Sequence, residues 1–216
     1  MSKQKVVKKP FSRPFMVKKV RLLAVSDLHG DTKQVQKLAE RAAKEHVDVV
    51  ILCGDITGYT DAPGIIKPFT DKKKHVLIVP GNHDSFATTD FLASFYKITN
   101  LHGYAWTHRN IGFFGAGGAD IGPGAITEKE LLTTLKKAHS HLKGIEKKIM
   151  ITHMHPSGSV SEFSGFPGSK AISKMITETQ PTLVLHGHIH EAAGLEHTIG
   201  KTRVINVGRE GVIIEL

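Results

Sequence analysis

Eight side chains suited to holding a divalent cation or moving a proton stand in five short polar segments of this 216-residue chain. The segments are Ser26-Asp27-Leu28-His29-Gly30, Gly54-Asp55, Gly81-Asn82-His83-Asp84, Thr152-His153 and Gly187-His188-Ile189-His190. They supply Asp27, His29, Asp55, Asn82, His83, His153, His188 and His190. Imidazole, carboxylate and amide oxygen together suit divalent transition metals. Two such ions about 3.5–4 Å apart clamp the attacking and leaving oxygens of a displacement at phosphorus. One carboxylate has to bridge them, to hold so short a separation against cation repulsion. A water between the ions loses a proton near neutral pH and becomes the nucleophile. Singly the segments say little: Asp-x-His recurs by chance, and Gly-Asp usually makes a turn. Three imidazoles in five residues, His186, His188 and His190, are harder to explain by packing.

Each segment ends an apolar, β-type run, at 20–25, 47–52, 76–79, 149–151 and 183–185. As neighbouring strands, these runs bring all five segments to one sheet edge, where open α/β sheets bind ligands. Between them the period changes. Residues 31–46 carry Val35, Leu38, Ala39 and Ala42 at helical spacing. A loop over 61–71 contains a short helix broken near Pro63 and Pro68, and 85–96 reads as a helix. Two short strands are expected at 104–107 and 111–114. Thr127 with Glu130 has capping-box spacing and opens a helix to about 141. Strand 147–151, helix 168–178 and strand 183–185 continue the alternation, and 193–199, 203–207 and 212–215 read as a β-meander. The pattern fits two packed mixed sheets with helices outside.

Composition bounds the reading. Forty per cent of the residues are apolar, a normal globular share. No apolar run approaches the roughly 20 residues that span a bilayer, so no membrane role is expected. Cys53 is the only cysteine, which excludes an internal disulfide and, with no export signal, gives a cytoplasmic reading. At the end of an apolar run it reads as a small buried hydrophobe. The net charge of +9 is concentrated at the start. Removing the eight bases of the first 21 residues leaves 21 bases against 20 acids. Residues 1–19 therefore read as a basic arm able to meet nucleic acid, and 20–216 as the folded domain. Met16 opens a second normal-looking start within the arm.

The ordered set Asp-x-His, Gly-Asp, Gly-Asn-His-Asp, His, Gly-His-x-His resembles the calcineurin-like metallophosphoesterases over about residues 20–210, in particular their small single-domain microbial members. The resemblance implies a four-layer α/β/β/α sandwich of two mixed sheets. It implies Asp27, His29, Asp55 and His190 as ligands of one metal, and Asp55, Asn82, His153 and His188 as ligands of the other, with Asp55 as the bridge. It also implies that His83 contacts the phosphate and protonates the leaving oxygen, with Asp84 orienting it. Asn206-Val207-Gly208-Arg209 resembles a turn that in many relatives is Asn-Pro-Gly. Ala119 stands where relatives often have Ser or Asn. Both departures lie outside the metal motif and bear on substrate contacts.

The function expected is hydrolysis of phosphate esters by a dinuclear centre through a metal-bridging hydroxide. Nitrogen and oxygen ligands without thiolate suit Mn first, then Fe, Zn or Ni. Selecting a monoester dianion over a diester usually takes added cations, best a bidentate Arg. The motif segments hold none, and Arg209 is the nearest candidate. A phosphodiester is therefore slightly favoured. Two other readings use the same residues: a nuclease or cyclic-nucleotide phosphodiesterase, and a non-catalytic metal-binding scaffold. The glycine-rich stretch 112–124 is expected as a close-packed turn near the site, and 157–168 as a flexible loop with a lid as its alternative. Phe86, Phe91, Phe95 and Tyr96, at helical spacing, are expected in the core. His102, His108, His139, His141 and His197 are expected as ordinary surface or core residues.

Overall fold

A computed structural model describes residues 19–58 and 64–216. The basic arm, apart from Lys19, and residues 59–63 lie outside them. In chain order the elements are β1 (Arg21–Val25), α1 (Thr32–Lys44), β2 (Val49–Cys53), α2 (Lys67–Asp71), β3 (His75–Val79), α3 (Phe86–Tyr96), β4 (Thr99–Asn100), β5 (Ala105–His108) and β6 (Ile111–Ala116). They continue with α4 (Glu128–Ser140), β7 (Lys147–Thr152), α5 (Lys170–Thr179), β8 (Leu183–His186), β9 (Glu196–Ile199), β10 (Thr202–Asn206) and β11 (Val212–Glu215). The strands form two mixed sheets, ordered β11-β1-β2-β3-β4 and β5-β6-β7-β8-β10-β9.

Alternation along each strand builds the layers. On β1, Leu22 and Ala24 face the second sheet, where they meet Ile149, Ile151, Leu183 and Leu185. Leu23 and Val25 point the other way, onto Val35, Leu38 and Ala42 of α1. On the far side, Phe114, Met150 and Val184 pack under Leu131 and Leu135 of α4 and Ile172 and Met175 of α5. Both faces of both sheets are thus covered, which is why the strands read as continuous apolar runs. Each such Leu, Ile or Phe contributes about 1.5–3 kcal/mol by leaving water. The helix starts are fixed locally. Asp31 caps α1 by accepting from the Gln34 N–H at 2.9 Å, Ser85 caps α3, and Thr127 with Glu130 closes the expected capping box.

Three expectations change. The five apolar runs divide between the sheets, with β1, β2 and β3 in one and β7 and β8 in the other. The site edge is therefore shared by two layers. The C-terminal strands do not form one meander. β9 and β10 pair antiparallel in the second sheet, but β11 crosses over and pairs antiparallel with β1. The third concerns α3. Its sheet-facing residues are Thr89 and Leu92, leaving Phe91 and Phe95 62% and 64% exposed. Those two rings stack on each other at 5.5 Å rather than entering the core.

The glycine-rich segment after β6 is close-packed, as expected. Gly118 N–H donates to the Pro80 carbonyl at 2.8 Å, and Gly124 N–H to the Asn82 carbonyl at 3.1 Å. His102 accepts from the Gly117 N–H at 3.2 Å. A Cβ on Gly117 would fall inside the contact distance of the Pro80 carbonyl oxygen. Neither partner is the flexible end of a side chain, so the backbone must move. Gly117→Ala is therefore expected to cost about 1–3 kcal/mol, the usual range for overpacking. Urea unfolding of the two proteins measures this, and an unchanged midpoint would contradict it.

Candidate metal centre

The residues at the carboxyl ends of β1, β2, β3, β7 and β8 meet in one place. Asp55 is at the centre. Its Oδ2 lies 3.4 Å from His153 Nε2, 3.8 Å from His29 Nε2 and 3.9 Å from His83 Nε2. Its Oδ1 accepts from the backbone N–H of His83 at 2.9 Å. Asn82 Oδ1 faces two imidazoles, His153 Nε2 at 3.0 Å and His188 Nδ1 at 3.1 Å. On the other side His190 Nε2 is 3.6 Å from Asp27 Oδ1 and 3.4 Å from His29 Nε2. Three overlapping donor groups result: Asp27, His29 and His190; His29, Asp55 and His83; and Asp27, Asp55 and His153.

The backbone is bent to achieve this. Asp27, His29, Asp55 and His188 all have left-handed φ, at 58°, 45°, 52° and 71°. Such a conformation costs a non-glycine residue on the order of 1 kcal/mol or more, and it persists only where the surroundings enforce it. Here they do. Asp27 N–H donates to the Gly54 carbonyl at 3.1 Å and His29 N–H to the Asp55 carbonyl at 2.9 Å. The His188 N–H donates to the Asp27 carboxylate at 3.2 Å. Four strained positions among the expected ligands concentrate strain where donors converge. Gly187 is held tightly as well, since a Cβ there would overlap Ser26 Oγ.

Asp84, expected to orient His83, has another task in these contacts. One carboxylate oxygen accepts from the Thr57 N–H and hydroxyl, the other from the Ile56 and Gly81 N–H groups. Asp84 therefore ties the backbone after Asp55 to the turn that carries Asn82 and His83. Asn206 does the same for the last segment. Its amide donates to the Ile189 carbonyl at 2.8 Å and its oxygen accepts from Gly208 N–H. Val207 stands where the resemblance implied a proline, and its N–H donates to the His186 carbonyl at 2.8 Å, a bond proline cannot make. Ala119 is buried inside the glycine-rich loop and offers no side-chain chemistry there.

Electrostatics explains how buried charges coexist. Burial raises the Asp55 carboxyl, but the hydrogen bond and charge of His153 outweigh it and bring it to about 2. Burial opposes the His153 imidazolium, yet Asp55 raises it to about 9. His188 goes the other way, to about 4, through burial and the His153 charge. Asp27 is raised by burial but more than offset by His190 and His153, so it is lowered overall.

The donor set fits a divalent ion. Ligand atoms about 2.0–2.2 Å from one ion are separated from each other by roughly 3.0–3.5 Å, and the closest donor pairs here lie at 3.0–3.6 Å. His153 Nδ1 meets the Cys53 carbonyl at 2.9 Å, which leaves Nε2 to face the cluster. That carbonyl has no signature in the sequence. Cys53 itself is buried, with its thiol pKa pushed up by burial, and offers no thiolate. Of the expected site residues, Arg209 stands apart. It lines a cavity of about 140 Å³ with Asp27, His29 and His190 and is paired with Asp31. The 157–168 segment is braced rather than loose. Ser157 N–H donates to the Ser169 carbonyl at 3.0 Å and Gly168 N–H to Glu162 at 2.9 Å. Its 3-10 turn, Val160–Ser164, packs on the turn beginning at His190.

Known proteins resemble this chain. An uncharacterized protein of Methanocaldococcus jannaschii is 31% identical over 204 residues, 88% of this chain and 89% of its own. A Thermus thermophilus crystal structure superposes with a TM-score of 0.74 at 19% identity, covering 89% of this chain and 91% of that one. A dimetal phosphatase from Danio rerio gives 0.62 at 14% identity, over 88% and 87%. Residues 20–192 match the family described as calcineurin-like phosphoesterase. The strained donor cluster lies within that span, so the chain belongs to the calcineurin-like phosphoesterases.

Proposed function

We propose that this protein is a dinuclear metal-dependent phosphoesterase that accepts phosphodiesters at least as well as monoesters. The observation that carries this reading is the convergence of seven nitrogen- and oxygen-bearing side chains, Asp55 and Asp27 among them, at one sheet edge. Asp27, His29, Asp55 and His190 would hold one ion. Asp55, Asn82, His153 and His188 would hold the other, with Asp55 shared. Mn is the first choice for this donor set, with Fe, Zn or Ni as alternatives. When bound, such ions supply positive charge for the phosphoryl oxygens and an acidified water.

The rest of the work falls to the chain. His83 stands at the mouth of the cluster, its ring 5.0 Å from that of His29. From there it would contact the phosphate and give a proton to the leaving oxygen. Asp84 would keep the His83 turn in register with Asp55. A diester carries one negative charge, which the two proposed ions would offset without a lysine or arginine in the motif segments. The predicted outcome is a kcat/KM for bis-p-nitrophenyl phosphate at least equal to that for p-nitrophenyl phosphate, with Mn²⁺. Side-by-side measurements decide it. A strong monoester preference would refute the diester reading, and full activity on both esters after exhaustive chelation would refute metal dependence.

A further inference from the structure

We propose that Asp31 sets the ester-class selectivity of this site by neutralising Arg209. The inference rests on the phosphoesterase reading above. Arg209 is the only Arg or Lys, among the described residues, lining the 140 Å³ cavity it shares with Asp27, His29 and His190. A free guanidinium there would favour a doubly charged monoester, because it adds bidentate donors and charge beside the phosphoryl group. It is not free: its Nη2 is paired with Asp31 Oδ2.

The pair is built into the fold. Asp31 cannot swing away easily, because its other oxygen caps α1 through the Gln34 N–H. Arg209 is fixed from the same helix. Gln34 Nε2 donates to the Arg209 carbonyl at 3.2 Å, and Arg41 Nη1 donates to the Glu210 carbonyl at 3.0 Å and to that of Gly211 at 3.2 Å. Docking of α1 on the 208–211 turn therefore places a carboxylate against the one arginine at the cavity. The side chains remain 50% and 32% exposed, Arg209 and Asp31 respectively. An incoming dianion has to compete with that carboxylate, whereas a monoanionic diester has less need of the arginine.

The test is Asp31→Asn, which removes the charge while keeping an N-cap residue of equal quality. The ratio of kcat/KM for p-nitrophenyl phosphate to that for bis-p-nitrophenyl phosphate is expected to rise about fivefold, the upper range for an exposed charge contact. Adding Arg209→Gln to Asp31→Asn should return the ratio to the wild-type value. A second measurement needs no turnover. By calorimetry on the Mn²⁺-loaded proteins, Asp31→Asn should tighten inorganic phosphate relative to dimethyl phosphate by a similar factor. An unchanged ratio and unchanged relative affinity in folded Asp31→Asn would overturn the proposal. So would a shift that persists in the double variant. Wild-type protein inert toward both esters would instead refute the phosphoesterase reading, and the phosphate comparison would still decide the role of Asp31.

Discussion

Asp55→Ala is expected to lose bound metal and activity together. The Asp55 carboxylate faces His153, His29 and His83 through one oxygen and holds the His83 N–H with the other. Asp55 belongs to two of the three overlapping donor groups. Removing it takes a shared ligand from both proposed ions and leaves the imidazoles facing a gap. Loss of an outer-shell partner typically costs about 10–100-fold in affinity or activity, and loss of the shared ligand should exceed that. Asp55→Asn separates chemistry from folding. The amide oxygen can still accept the His83 N–H, so the turn survives while the charge is gone. Metal per chain after dialysis, with kcat/KM on the same samples, checks both variants. Retention of two ions by folded Asp55→Ala would remove Asp55 from the centre of the site.

Much of this site was legible because strand interiors and strand exits use different residues. β1, β2, β3, β7 and β8 are buried on both faces, so each reads as an apolar run, and each run stops where a polar segment leaves the sheet. What the strands pair with was not legible. The run Val212-Ile213-Ile214 suits either sheet, and only the turn at Gly208 and Gly211, both with positive φ, sends it across to β1. The α3 aromatics misled for a related reason. Phe91 and Phe95 share one helix face, but Thr89 and Leu92 define the face that meets the sheet. Spacing identifies a stripe without saying which stripe is buried.

Within the site, the donor-bearing segments followed from residue type, whereas their supports did not. The Asp84 carboxylate also reaches back to Ile56 and Thr57, nearly 30 positions away. The pairing of Asp31 with Arg209 joins residues 178 positions apart. The left-handed backbone at Asp27, His29, Asp55 and His188 also has no local signature, since Asp and His occur freely in ordinary conformations. Long-range hydrogen bonds enforce it. Strain and support are both properties of the assembled edge, which explains why the sequence pointed to the donors and not to their scaffold.

His83→Ala should separate turnover from metal binding, in contrast to Asp55→Ala. The His83 contact that fixes Asp55 is its backbone N–H, at 2.9 Å from Oδ1, and alanine keeps that donor. Asp84 also continues to hold the turn through Gly81, Ile56 and Thr57. The proposed ions should therefore remain, at close to the wild-type content. What is lost is an imidazole at the mouth of the cluster, and with it the proposed phosphate contact and the proposed protonation of the leaving oxygen. Groups acting as general acids contribute about 10²–10⁴-fold, so kcat should fall within that range. The size of the fall should depend on the leaving group. p-Nitrophenolate departs readily without a proton, whereas a more basic phenolate or alkoxide needs one. His83→Ala should therefore be impaired more on a phenyl ester than on its p-nitrophenyl counterpart. Parallel kcat values for the two esters, with metal content on the same samples, make the measurement. Wild-type turnover would remove His83 from the reaction. An equal loss on both esters would leave it a phosphate contact and deny it the proton.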